Sequence, residues 1–397
     1  MKKKWIALPL LVACLFTGCE QTQEVQQGKN TQQSEPIKEE KNTEEIETQI
    51  VEEFTQVIEE STEEIEEVTG VLEKIEPYED ITMAFVGDVY VSDRLYDRYM
   101  EQEDVTGFMD QTVATNFRDV DIMVANHEYA CTDLSDAHRD TRQLFNFKSP
   151  TSREYIWQEL GVDVLSLANN HAMDFGEQSL FDTLDTLEDL DIPAIGAGRN
   201  LEDAKEAEIF EMQGKKVALL ASSRFIVDAD WYATTNSPGV LTTYESTPYF
   251  GIVKDEITRL KEEEGCDFVA IYVHFGKEKT NQIIESQVDI AHGYIDAGAD
   301  LVMGAHAHTL QGIEFYKEKP IYYNLGNFLF SSKAVDTMLV NIEIHEDNSC
   351  STSILPCLSS DFYVKAVEGE EKQRILSYVE DISVNAVIDA DGNVREK

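Results

Sequence analysis

Val162-Asp163-Val164-Leu165-Ser166-Leu167-Ala168-Asn169-Asn170-His171-Ala172-Met173-Asp174-Phe175-Gly176 is the stretch on which the reading of the chain turns. Its first half is an apolar run of the length expected for a buried strand. Its second half sets two amides, an imidazole and a carboxylate ahead of a glycine, after which a helical pattern runs to Leu190. Strand, polar loop and helix form the repeating unit of an α/β protein, and such proteins gather ligand groups at the carboxyl ends of their strands. Adjacent Asn170 and His171 must point in different directions, so one can bind a metal while the other faces a substrate. Packing alone does not explain so many polar groups behind one buried strand.

The same arrangement recurs on both sides. Upstream, residues 81–86 form an apolar strand ending in Gly87-Asp88, where the glycine lets the backbone turn and present the carboxylate. Residues 121–125 end in Asn126-His127-Glu128, with Asn126 and Glu128 on one side. Downstream, residues 194–198 lack the third glycine of a dinucleotide loop and read as a tight strand-to-helix turn. Residues 216–221 form a strand followed by Arg224, a candidate anion contact. The run 267–273 ends at His274-Phe275-Gly276-Lys277-Glu278, and a helix over about 282–297 leads to Leu301-Val302-Met303-Gly304-Ala305-His306-Ala307-His308. Alternate positions of an extended segment share a side, so His306 and His308 are expected to reach one cluster together. Residues 320–323 end in Asn324-Leu325-Gly326-Asn327-Phe328, 338–344 read as a closing strand, and 367–378 as an amphipathic helix covering a sheet edge or face. Closely spaced strands after His308 predict antiparallel pairing there.

With 397 residues and 42% hydrophobic content, the chain has room for one large domain and appendages. A formal net charge of -45 argues against nucleic acid and anionic lipid as general partners, because phosphate binding needs clustered Lys and Arg. An anionic substrate would therefore need a local cationic centre, for which bound divalent metal is a candidate. Three lysines and a short apolar run open the chain, too short to span a bilayer. Both Leu11-Val12-Ala13-Cys14 and Phe16-Thr17-Gly18-Cys19 resemble a lipoprotein lipobox. The first fits the consensus better but leaves a very short apolar region. Cys19, followed at once by polar sequence, is preferred, with an ordinary secretory signal or an uncleaved anchor as alternatives.

Residues 1–19 are thus expected to be a lipoprotein signal peptide and lipidation site, placing the mature chain on the extracytoplasmic face of the membrane. Residues 20–77 read as an acidic low-complexity stalk. Apolar steps of three or four from Ile46 to Ile75 suit a helix, but few cations are present to pair with its glutamates, so it is expected to be partly helical. The chemistry-bearing domain spans 78–365, and 366–397 form a C-terminal helix and tail. Cys131, Cys266, Cys350 and Cys357 match no zinc-ribbon or Cys-x-x-Cys spacing and are not assigned to metal. Free thiols and bridges both remain open, with Cys350 and Cys357 near enough in sequence to close a small loop.

Taken together, Gly87-Asp88, Asn126-x-Glu128, Ala168-Asn169-Asn170-His171-x-x-Asp174-x-Gly176, His274-x-Gly276-x-Glu278, Gly304-x-His306-x-His308 and Asn324-Leu325-Gly326-Asn327-Phe328 resemble the CapA family of bacterial capsule, or poly-γ-glutamate, synthesis proteins. The resemblance covers about residues 81–360 and extends to the calcineurin-like metallophosphatases. It implies an α/β fold, a metallophosphatase-like sandwich of mixed β-sheets flanked by helices. It also implies Asp88, Glu128, Asn170, His274, His306 and His308 as ligands of one or two divalent metals (manganese, iron or zinc), with Glu128 bridging. His171 and Asp174 become the catalytic candidates, His171 protonating a leaving group or holding the substrate. The implied function is a cell-surface lipoprotein of capsule or poly-γ-glutamate synthesis and export. Its expected partners are other capsule-synthesis membrane proteins or an anionic polymer, the membrane through its lipid, and no nucleic acid. A free-standing metal-dependent phosphoesterase acting on extracellular phosphate esters is the alternative. Two positions depart from the pattern. Tyr90 stands where the superfamily's first motif has a histidine, and Asp93 where an arginine is common, with Arg94 one step later.

Overall fold

The computed structural model describes residues 78–330 and 332–397, so the leader with Cys14 and Cys19 and the acidic stalk lie outside the described residues. Two mixed sheets organise the described chain. In the ten-stranded sheet, Ile81–Val89 lies centrally, parallel to Ile122–His127, which is parallel to Val164–Ser166 and so on to Ala194–Ile195. On its other side Ile81–Val89 runs antiparallel to Val335–Ile344, which forms a long antiparallel pair with Cys350–Ser360. The six-stranded sheet has Lys215–Ser223, Phe268–His274, Leu301–Ala305 and Lys319–Tyr322 in parallel, edged by antiparallel Glu208–Met212 and Ile313–Tyr316. This is the expected α/β architecture of mixed sheets with flanking helices, antiparallel toward the C-terminus.

Burial explains why the central strands read as continuous apolar runs rather than alternating ones. Every residue of Phe268–His274 is buried, one face toward the other sheet and one toward helices. Between the sheets, the Phe85 and Tyr272 rings stack with centroids 6.4 Å apart, and the Tyr272 hydroxyl donates to the Val86 carbonyl at 2.7 Å. On the far face, helices Pro248–Glu262 and Glu285–Ala297 seal a second core of Val253, Ile257, Leu260, Ile290, Ala291 and Tyr294. The latter helix starts three residues later than the apolar pattern suggests. The Gln287 side chain turns back to accept the Ile284 N–H at 3.2 Å, which ends the extended lead-in.

Two details differ from expectation. The tail does more than cover the fold: after helix Gly369–Ile382, strands Ala386–Ile388 and Asn393–Glu396 form a hairpin that extends the larger sheet beside Thr352 and Ser353. The Cys350–Cys357 loop closure is geometrically excluded. Both residues lie on the single strand Cys350–Ser360, and seven extended steps separate them by roughly 23 Å. All four cysteines of the described residues are free.

Candidate metal centre

Five strand ends converge on one point between the sheets. Asp88 is the penultimate residue of Ile81–Val89, Glu128 follows Ile122–His127, and Asn170 lies in the loop after Val164–Ser166. His274 ends Phe268–His274, while His306 and His308 follow Leu301–Ala305. Asp88, Glu128, Asn170, His274 and His306 are buried, and His308 is partly exposed. Two glycines make this convergence possible, through close approach rather than turning. A Cβ on Gly87 would lie 2.0 Å from the Gly326 carbonyl oxygen, and one on Gly304 would lie 2.2 Å from that of Tyr323. The turn expected at Gly87 is absent, for the strand continues to Val89.

The histidine pair also arrives differently from the expectation of strand alternation. Extended structure ends at Ala305, and His306 and His308 adopt left-handed φ values of 94° and 55°. Such backbone costs on the order of 1–3 kcal/mol per residue and persists where surrounding structure enforces it. Its effect is to spread the two imidazoles, with ring centroids 6.2 Å apart, into different groupings.

Two trios result, each with potential ligand atoms within 4.8 Å of one another: Glu128 with His274 and His306, and Glu128 with Asp88 and His308. Glu128 Oε1 lies 3.6 Å from His274 Nε2 and 3.9 Å from His308 Nε2. Asp88 Oδ2 is 3.1 Å from His308 Nδ1, and Asn170 Oδ1 is 2.8 Å from His274 Nε2. Among the described residues, both Glu128 carboxylate oxygens and His306 Nε2 are buried without a geometric hydrogen-bond partner. Each such orphan costs about 1–3 kcal/mol, so three around one point call for a ligand. Carboxylate and imidazole donors suit a divalent cation, which the cluster can hold.

The electrostatics agree. Burial, reinforced by neighbouring Asp88, pushes the Glu128 carboxyl well above its ordinary range. Burial opposes ionisation of Asp88 too, but the hydrogen bond and charge of His308 outweigh it and hold that carboxyl low. Burial and neighbouring imidazoles keep His274 uncharged and lower His306 to about 3, which leaves their lone pairs available to a metal.

Three asparagines complete the centre. Asn126 Nδ2 donates to Asp88 Oδ1 at 2.9 Å, Asn169 Nδ2 donates to Asn126 Oδ1 at 3.2 Å, and Asn327 Oδ1 lies 2.8 Å from His308 Nδ1. Their role is to orient ligands. Their only sequence signal is a place in Asn126-x-Glu128, Asn169-Asn170 and Asn324-x-x-Asn327. Tyr90 joins neither trio; its hydroxyl donates to the Lys148 carbonyl at 3.1 Å and its ring packs against Tyr129 and Phe147. Arg94 pairs with Asp361 and Asp93 with Arg153. Arg224 pairs with Glu245 at 3.0 Å over the Tyr244 ring, so its charge is already matched.

His171 lies at the margin. Its Nδ1 is 2.8 Å from Asp174 Oδ2, which leaves Nε2 as the free nitrogen. Asp174 has no exposed surface; it also accepts from the Phe147 N–H at 2.5 Å and from Gln143 Nε2. Burial raises its carboxyl pKa, against the lowering effect of His171. His171 and Asn170 line an open cleft of about 410 Å³ with Phe225 and Glu278. His171 can therefore meet a solute, whereas Asp174 acts through it.

These features define an α/β protein of two mixed sheets with a buried carboxylate–imidazole cluster able to hold metal where their strand ends meet. The sequence model of the bacterial capsule synthesis protein PGA_cap matches residues 82–332, and the chain belongs to that family. It is 28% identical to the capsule biosynthesis protein CapA of Bacillus anthracis over 70% of this chain and 67% of that one. Identity is also 28% to the PGA biosynthesis protein CapA of Bacillus subtilis, over 71% and 73% of the two chains. A hypothetical protein of Thermus thermophilus overlays with a TM-score of 0.44 and 16% identity, over 70% of this chain and 98% of its own.

Proposed function

We propose that the protein is a cell-surface lipoprotein of capsule or poly-γ-glutamate synthesis and export, with a metallophosphatase-like domain whose cluster binds one or two divalent ions (manganese, iron or zinc). The family match supports the capsule role, and the observation that carries the metal reading is Glu128, shared by both trios with neither oxygen hydrogen-bonded among the described residues. Bound there, divalent metal would supply Lewis-acid polarisation of a phosphoryl oxygen and acidify water. The chain's own residues supply the rest. Asp88, Glu128, His274, His306 and His308 hold the ions, with Asn170 beside His274. Asp174 accepts from His171 Nδ1–H and favours the imidazolium, whose Nε2–H can give a proton to a leaving oxygen or donate to a phosphoryl oxygen. Tyr90, turned into its aromatic cluster, contributes nothing to the Asp88 side, which leaves that trio with fewer donors.

Phosphoesterase activity is favoured by one observation, the His171–Asp174 pair beside the cluster, whose His171 lines the open cleft. In a phosphate-ester screen with added manganese, His171→Ala should lower kcat by about 10²–10⁴ with metal content unchanged. Metal-loaded wild type that turns over none of the esters would eliminate the hydrolase and leave an accessory role beside other capsule-synthesis membrane proteins or an anionic polymer. The anchor is tested separately. Cys19→Ala should move the protein from the membrane pellet to the soluble fraction, whereas Cys14→Ala should leave it pelleted; the reverse would transfer the lipidation site to Cys14.

A further inference from the structure

Among the described residues the Glu128 backbone N–H donates to the Val89 carbonyl at 3.0 Å, while its carboxylate contacts only the cluster itself, so the anchoring of its chain neighbours helps set where that carboxylate lies. The side chains on either side, His127 and Tyr129, both reach a single buried residue, Glu154. His127 Nε2 lies 2.9 Å from Glu154 Oε2, and the Tyr129 hydroxyl donates to Glu154 Oε1 at 2.8 Å. Trp157 Nε1–H donates to Glu154 Oε2 at 3.0 Å and to the Tyr129 oxygen at 3.1 Å. The His127 and Tyr129 rings stack at 3.8 Å, and all four side chains are fully buried. Glu154 comes from a separate element, the residue after the short turn Thr151–Arg153 and just ahead of helix Ile156–Leu160.

A fully buried carboxylate is an expensive way to fill a core, since well-packed apolar residues often replace buried ionic groups without loss of stability. We propose that Glu154 is a positioning residue for the metal centre: by gripping His127 and Tyr129, one with each oxygen, it fixes the Glu128 carboxylate where the two trios share it. This rests on the reading that the cluster binds divalent metal. The fold provides a comparison with the same partner types at a less buried place. Glu314 also accepts from a histidine and a tyrosine, with His292 Nε2 at 3.0 Å and the Tyr323 hydroxyl at 2.6 Å. Glu314 belongs to neither trio, and its two partners flank no candidate ligand.

The test is Mn²⁺ binding to the full chain, by calorimetry and by electron paramagnetic resonance. Glu154→Leu should weaken Mn²⁺ binding by roughly 10–100-fold and alter the Mn²⁺ line shape. Tyr129→Phe, which loses one grip but keeps the ring, should weaken it by a smaller factor and decides the matter if Glu154→Leu does not fold. Glu154→Gln, which can still accept from Tyr129, should restore most of the affinity. Glu314→Leu should lose thermal stability while binding Mn²⁺ as wild type does. Wild-type affinity in both Tyr129→Phe and Glu154→Leu, or in Tyr129→Phe alone where Glu154→Leu does not fold, or an equal loss in Glu314→Leu, would overturn the positioning role. Wild type that binds no Mn²⁺ would instead overturn the metal reading on which it rests.

Discussion

Purified without a histidine tag, the wild-type chain should carry about one to two transition-metal ions, and His306→Ala with His308→Ala should carry almost none. One histidine of that pair serves each trio, so the double variant strips an imidazole from both. Glu128→Gln is the sharper single change, because it weakens the ligand common to the two groupings. Stability should move in step with occupancy. Metal at a thousandfold excess over its dissociation constant stabilises the folded state by about 4 kcal/mol, which appears as a higher Tm. Wild type should show that rise on adding Mn²⁺, and Glu128→Gln should not. Without metal the order should narrow or reverse, because wild type then keeps an unpartnered buried carboxyl. Elemental analysis and a melting series with and without chelator read both effects. Unchanged metal content in the double variant would remove these residues from the ligand set.

The carboxylate–imidazole cluster was legible because its members follow apolar runs, and strand ends are where parallel sheets expose side chains. Strand existence and the change to antiparallel pairing followed from the same patterning. What sequence did not reveal depends on contacts between distant segments. Gly87 looked like a turn residue, but its need arises from a carbonyl 239 positions later in the chain, at Gly326. The left-handed backbone at His306 and His308 is likewise imposed from outside. Asn126 and Asn327 stood out as members of their motifs, but that they pair with Asp88 and His308 became visible only where the fold sets those residues beside them. Tyr90 was recognisable as a departure, but its direction was fixed by Phe147 and the Lys148 carbonyl, neither adjacent in sequence. The C-terminal hairpin was missed because strands of three and four residues carry too little period-two signal.

The same substitution, glycine to alanine, should have opposite signs at two kinds of position. At Gly87 and Gly304 the new methyl meets backbone carbonyls at 2.0 and 2.2 Å, so strands rather than side chains must move. Overpacking of this kind costs about 1–3 kcal/mol and more when the backbone cannot yield. Each shift also reaches the metal cluster. Asp88 follows Gly87 and is paired with Asn327, while Gly304 begins the segment leading to His306 and His308. Gly87→Ala and Gly304→Ala should therefore lower Tm and metal content together. Gly251, inside helix Pro248–Glu262, has open space where a methyl would go, with nothing within 4 Å, and no left-handed φ. Gly251→Ala should raise stability by about 0.5–1 kcal/mol through helix propensity and leave metal content alone. Chemical denaturation of the three variants, with metal measured on each, separates the outcomes. If Gly87→Ala and Gly304→Ala melted like wild type and kept their metal, the close approach of these strands would not be what holds the cluster together.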